Sequence, residues 1–232
     1  GLTHRLTMTP IEGRWQVAIL RRFEEATPSA ANALLKTLEE PAPGVVLAVL
    51  AREADLLLPT IVSRCQHMPL RPLPVRTVER ALIEHWSASA ARAELLAHLS
   101  GGCLGFAVSA LEDETALDRR VERLDDLEAL IHGSMIERFA YAEQLAGDPV
   151  ATQETLNLWI AWWRDVLLVA SGAEAPLTNV DRERTLRDHA RRFDEHSIVT
   201  VIRALRSALG KLQRNANKRL TLEVLMLDLP HG

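Results

Sequence analysis

The stretch that decides the fold is SAANALLKTLEEP, residues 29–41, answered further along by LLPTIVSRCQ, residues 57–66. Thr27 can cap a helix whose first position is Pro28, where a missing amide donor costs nothing. Ala31, Leu34, Leu35 and Leu38 then recur at i, i+3, i+4 and i+7, and Pro41 ends the run. Working outward, WQVAIL (15–20) and GVVLAVL (44–50) are short continuous apolar runs, the pattern of strands buried on both faces of a parallel sheet. Pro59 suits the first position of a helical turn within 54–65, and QHMPL (66–70) reads as a short third strand. Strand, helix, strand, helix, strand is the alternation of a parallel α/β sheet.

After RPLP (71–74) the strand signals stop. Val78, Ala81, Leu82 and Trp86 have helical spacing, and further helices fit 90–99 and 103–111 on either side of SGG (100–102). The charge-dense run 112–126 reads as a connector with a solvated acidic face, leading into an all-helical region. There Trp159, Trp163, Val166 and Ala170 share one face of a buried helix, and 172–179 is a loop. Ile198, Val201, Ile202, Leu205, Leu209 and Leu212 form a long apolar stripe, and RNANK (214–218) separates it from a last helix, RLTLEVLMLDL. Arg203, Arg206, Lys211, Arg214, Lys218 and Arg219 make this end basic, as a solvated face or a match to an acidic partner.

Composition narrows the function classes. The chain of 232 residues, 47% hydrophobic and 25% charged, has the balance of a cored protein with one large or several small domains. A net charge of −4 excludes a general nucleic-acid footprint, so any basic surface is local. Cys65 and Cys103 are far apart and lack metal-ligand spacing, which argues against a zinc site in this chain and fits a reducing cytosol. The apolar segment 156–170 is too short to span a bilayer and contains Arg164 and Asp165.

The pairing of LLKTLEEP with TIVSRC, followed by LSGGCLGFAVSAL (99–111) and NANKRLTLEVLMLDL (215–229), resembles the clamp-loader subunits of bacterial DNA polymerase III. That resemblance implies a predominantly α chain in three parts. Residues 1–72 would be the C-terminal part of an AAA+ (P-loop NTPase-like) α/β domain, 73–113 a small helical lid, and 114–232 an all-α collar. The opening, GLTHRLTMTPIEGRW (1–15), has no initiator Met and runs almost at once into a core strand. The expectation is a segment that begins within a domain, after the P-loop region and any zinc module.

Matched on NALLKTLEEP, the family's Walker-B Asp-Glu pair falls at Arg21 and Arg22. The Asp would hold Mg²⁺ and the Glu would orient the attacking water, both tasks for carboxylate oxygens. Guanidinium groups carry the opposite charge and accept nothing. The sensor-1 position falls at Ala51 or Arg52, and the sensor-2 arginine at Gly105, which has no side chain. No nucleotide, cofactor or metal site is therefore expected in this chain; ATP and magnesium would be bound by neighbouring subunits, with zinc conceivable only before residue 1.

One catalytic element of the family remains. Arg64 occupies the arginine-finger position, with Ser63 and Cys65 supporting the turn. A finger aimed at ATP on the adjacent subunit is worth about 10³–10⁵ in rate. The plainer reading is an arginine closing a helix on local carbonyls. Glu39 and Glu40 sit at a helix C-terminus, where they oppose the dipole; they are either solvated carboxylates or partners of a basic group on a neighbouring subunit.

By resemblance the partners are gamma/tau and delta subunits, the sliding clamp, and primer-template DNA contacted through the assembly, in the bacterial cytoplasm. Two alternatives stand beside it: a gamma/tau-type ATPase, which calls for acids at 21 and 22, and a helical interaction module with an α/β remnant.

Overall fold

The computed structural model describes residues 14–113 and 115–231. The chain divides into two compact units, residues 1–71 and 72–232.

In the first unit, β1 (Gln16–Leu20) and β2 (Val45–Val49) pair in parallel, Gln16 opposite Val45 and Leu20 opposite Val49. Between them runs α1 (Pro28–Glu39), capped where the sequence places the cap: Thr27 Oγ1 accepts from Ala30 N at 3.2 Å, and Pro28 opens the helix. Ala31 and Leu34 are its buried residues. Gly44 starts β2 with φ +78°, and a Cβ there would lie 2.8 Å from the Arg14 carbonyl oxygen, so only glycine lets the strands close. A short helix, α2 (Pro59–Val62), follows, anchored by buried Ile61.

Two expectations for this unit are corrected. Residues 66–70 form no strand: Met68 and Leu70 are strongly exposed, and Pro69 has no amide to give a ladder. The strands are also not buried on both faces. Val17 and Ile19 of β1, and Val46 of β2 opposite Val17, are exposed, so the continuous apolar runs cover one packed and one open face.

Among its described residues the second unit has helices and loops and no strand. Helices α3 (Val75–Trp86), α4 (Ala90–Leu99) and α5 (Leu104–Glu112) enclose a small core of Val78, Leu82, Ala93, Leu96, Ala97, Ala107 and Ala110. Gly102, with φ +86°, lets its carbonyl accept from Leu73 N at 2.9 Å; a Cβ there would meet Leu73 O at 2.6 Å.

The larger core belongs to α6 (Thr115–His132), α7 (Met135–Ala146), α8 (Pro149–Ala170), α9 (Glu183–Arg192), α10 (Glu195–Gln213) and α11 (Lys218–Asp228). Trp159, Trp163 and Val166 of α8 are fully buried, as their spacing predicts, and Trp162 joins them. Most of the expected connector is instead α6, because Leu124, Leu127 and Leu130 give the charged run a buried stripe. Its Arg120 is also buried, paired to Asp181 at 2.7 Å and to Asn179 Oδ1 at 2.6 Å. Asn179 is held in turn by fully buried Asp165 of α8, whose Oδ2 accepts from Thr178 N, Asn179 N and Asn179 Nδ2. This chain of polar contacts fixes the loop 172–179.

Candidate functional site

Two groups of residues singled out in the sequence lie in the first unit. At the C-terminal end of β1, Phe23 N donates to Leu50 O at 2.9 Å and Leu50 N to Leu20 O at 2.8 Å, stitching the two strand ends together. The chain then turns through Arg22, which takes a left-handed conformation (φ 50°, ψ 49°) unusual for a residue with a side chain. An open hollow of about 650 Å³ is lined here by Ile19, Leu20, Arg21, Arg22, Phe23, Glu25 and Ala26. The end of a strand in a parallel sheet is where such folds place ligands.

The charges in this hollow do not fit a magnesium ion. Arg21 and Arg22 project no anionic oxygen, and of the carboxylates that follow only Glu25 lines the hollow. Each has one oxygen facing an arginine, while the other oxygen of Glu24 is buried without a partner among the described residues. Glu25 lies 3.5 Å from Arg22, and Glu24 lies 3.7 Å from Arg52, one of the two residues, with Ala51, at which the sensor-1 position is expected. Among the described residues no group of three or more His, Cys, Asp or Glu is placed to hold a metal. Gly105, the expected sensor-2 position, is exposed in the first turn of α5, and a Cβ built on it would touch nothing within 4 Å.

The second group is built on α1 and α2. Arg64 directly follows Ser63, the C-cap of α2. Its Nη1 donates to Thr60 O at 3.0 Å and lies 3.3 Å from Ser63 Oγ, and Ser63 Oγ donates to Thr60 O at 3.3 Å. The local-carbonyl reading of this arginine is thus realised in the chain by itself. A second partner comes from further away: Arg64 Nε donates to Glu39 Oε1 at 2.7 Å, and Nη2 lies 2.5 Å from the same oxygen as an ion pair. Glu39 is thus half-exposed and paired within its own unit. Cys65 is half-buried, and burial pushes its thiol above the usual range, which disfavours the nucleophilic thiolate.

Sequence reasoning puts Arg21 and Arg22 at the end of β1, where the structure also finds them, but it does not connect Arg52 to that end and leaves Glu39 and Arg64 unconnected. The missed signal was physical. A carboxylate at the negative end of a helix calls for a nearby cation, and Arg64 is the cation on the adjoining helix.

Comparison with known proteins fixes the family. The model for DNA polymerase III, delta subunit, matches residues 1–74, and that for the C-terminal part of the DNA polymerase III delta subunit matches residues 115–231. The chain belongs to the DNA polymerase III delta family, of the delta-prime type. The delta-prime subunit of Bacillus subtilis is 28% identical over all of this chain and 71% of its own length. That of Pseudomonas aeruginosa is 33% identical over 161 residues, 66% of this chain and 44% of the relative. A gamma/tau subunit of Mycobacterium tuberculosis is 39% identical over 82 residues, 35% of this chain and 14% of the relative. The family is thus a DNA-replication one, and no helix among the described residues is long and apolar enough to cross a membrane.

Proposed function

We propose that this chain is a non-catalytic clamp-loader subunit. It joins gamma/tau and delta subunits, helps the assembly place a sliding clamp on primer-template DNA in the bacterial cytoplasm, and lends Arg64 to ATP held by the adjacent subunit. Residues up to about position 72 act as the distal part of an AAA+ domain. Residues 73–113 act as its lid, and 114–232 as a collar.

One observation carries the non-catalytic reading: the strand end that would hold a metal presents Arg21 and Arg22, with Glu24 and Glu25 already engaged by arginines. Hydrolysis needs carboxylates there to bind magnesium and orient water. A gamma/tau-type ATPase is disfavoured for the same reason. Arg64 supports the assisting role because its side chain is held by Glu39 yet about a third exposed, so a phosphate presented from outside can reach it. The collar role is supported by apolar residues left over after the core is filled. Leu220, Val224 and Leu227 recur along the outer face of α11, and Ile136 of the neighbouring α7 is 82% exposed.

Reconstitution with gamma/tau and delta tests the reading. In single-turnover measurements, Arg64→Ala should slow clamp- and DNA-stimulated hydrolysis at the facing ATP site by about 10³-fold or more. An unchanged rate would return the chain to the class of helical interaction modules.

A further inference from the structure

Glu39 and Arg64 are 25 positions apart, yet they form the closest charge pair among the described residues of the first unit. Both ends of the pair stand on anchored elements: Glu39 ends α1, held by Ala31 and Leu34, and Arg64 follows α2, held by Ile61. A guanidinium has five N–H groups in one rigid plane. Glu39 Oε1 takes the edge formed by Nε and Nη2, while the Thr60 carbonyl and Ser63 Oγ lie on Nη1. Contacts on both sides fix the direction of the side chain and the roll of its plane. Even so, 35% of the Arg64 side-chain surface stays exposed. An unheld arginine would sample many rotamers and lose that freedom each time it met a phosphate.

We propose that Glu39 is a positioning residue for Arg64. Its single engaged oxygen sets the plane of the guanidinium so that the tip meets a phosphate group presented by the adjoining subunit. This rests on the reading of Arg64 as an arginine finger. The opposite role, a competitor that holds Arg64 away from phosphate, predicts the opposite sign on removal.

The test is stimulated ATP hydrolysis by the complex reconstituted with gamma/tau and delta, comparing Glu39→Ala, Glu39→Gln, Arg64→Ala and the Glu39→Ala/Arg64→Ala double variant. Glu39→Ala should lower kcat by roughly tenfold with KM for ATP and assembly unchanged, as expected for a misaligned rather than missing group. Glu39→Gln, whose amide oxygen still accepts from Nε, should keep most of the rate. The double variant should match Arg64→Ala, because Glu39 acts only through Arg64. If Arg64→Ala slows hydrolysis but Glu39→Ala leaves kcat unchanged or raises it, the positioning role is wrong while the finger stands. The same holds if Glu39→Ala adds a further loss on top of Arg64→Ala. If Arg64→Ala itself has no effect, the finger reading fails and Glu39 has nothing to position.

Discussion

Arg138 is fully buried, with no carboxylate among its bonded partners in the described residues. Its guanidinium donates to Leu130 O at 2.8 Å and Ile131 O at 3.3 Å at the end of α6, and to Met226 O, Leu229 O and Pro230 O at 3.1, 2.8 and 2.8 Å at the end of α11. Two helix C-termini leave carbonyls without intrahelical partners, and both dipoles point negative charge at this cation. Arg138→Met, similar in length but without donors, should therefore cost at least about 3 kcal/mol in urea unfolding, since several buried carbonyls lose their partners together. A loss under about 1 kcal/mol would show that water takes over the arginine's role.

His189 makes a second prediction at this scale. Its ring stacks on Trp163, its Nδ1 accepts from Trp162 Nε1 at 3.2 Å, and its Nε2 faces Glu128 Oε2 at 2.8 Å. With Nδ1 accepting, the proton sits on Nε2 and the ring is neutral. Burial holds its pKa below the ordinary value, against the raising pull of Glu128, and nearby Arg192 and His132 also lower it. The unfolded chain therefore takes up a proton that the folded one resists. Stability should fall as pH drops below about 6.5 towards the depressed folded value, and the lost part should be fully present above 6.5. Thermal melts from pH 7.5 to 5 should show this slope, and His189→Gln should flatten it. Neither residue was legible in the sequence, because nothing local distinguishes a buried arginine or histidine from the solvated ones around it.

At the scale of elements, the sequence was most informative where a helix shows both a cap and a stripe. Helix α1 announces its start through Thr27 and Pro28, and α8 announces its buried face through Trp159, Trp163 and Val166. The Ser134 and Glu137 reciprocal cap of α7 was equally readable from its spacing but stood beside a charged run that obscured it. That run became α6 because its leucines find a core, which a count of charges does not reveal. The last helix is apolar on more than one side: Thr221, Leu222, Leu225 and Met226 fill the core, while Leu220, Val224 and Leu227 remain outside. Arg219 at its start is not a free basic group, being paired to Glu143 at 2.6 Å and Glu223 at 2.8 Å. Replacing Leu220 and Leu227 together by Lys should weaken association with gamma/tau and delta by at least about tenfold, as for loss of interface anchors. The melting temperature of the free chain should stay nearly unchanged. Unaltered co-purification at limiting concentration would remove α11 from the interface.

At the scale of the whole molecule, the parallel order of β1 and β2 and the switch to pure helix after residue 71 were both legible from periodicity. The open face of the sheet was not, since an apolar run looks the same whether or not a layer covers it. The candidate site was half legible. The two cations at Arg21 and Arg22 are visible in the letters, whereas the pairing of Glu39 with Arg64 needs the fold to bring two helix ends together. The central claim is that this subunit assists phosphate cleavage elsewhere without performing it. The most direct measurement is magnesium-dependent phosphate release from ATP by the protein freed of every other subunit. The account predicts no release above the protein-free control; sustained release, abolished by chelating magnesium, would contradict it.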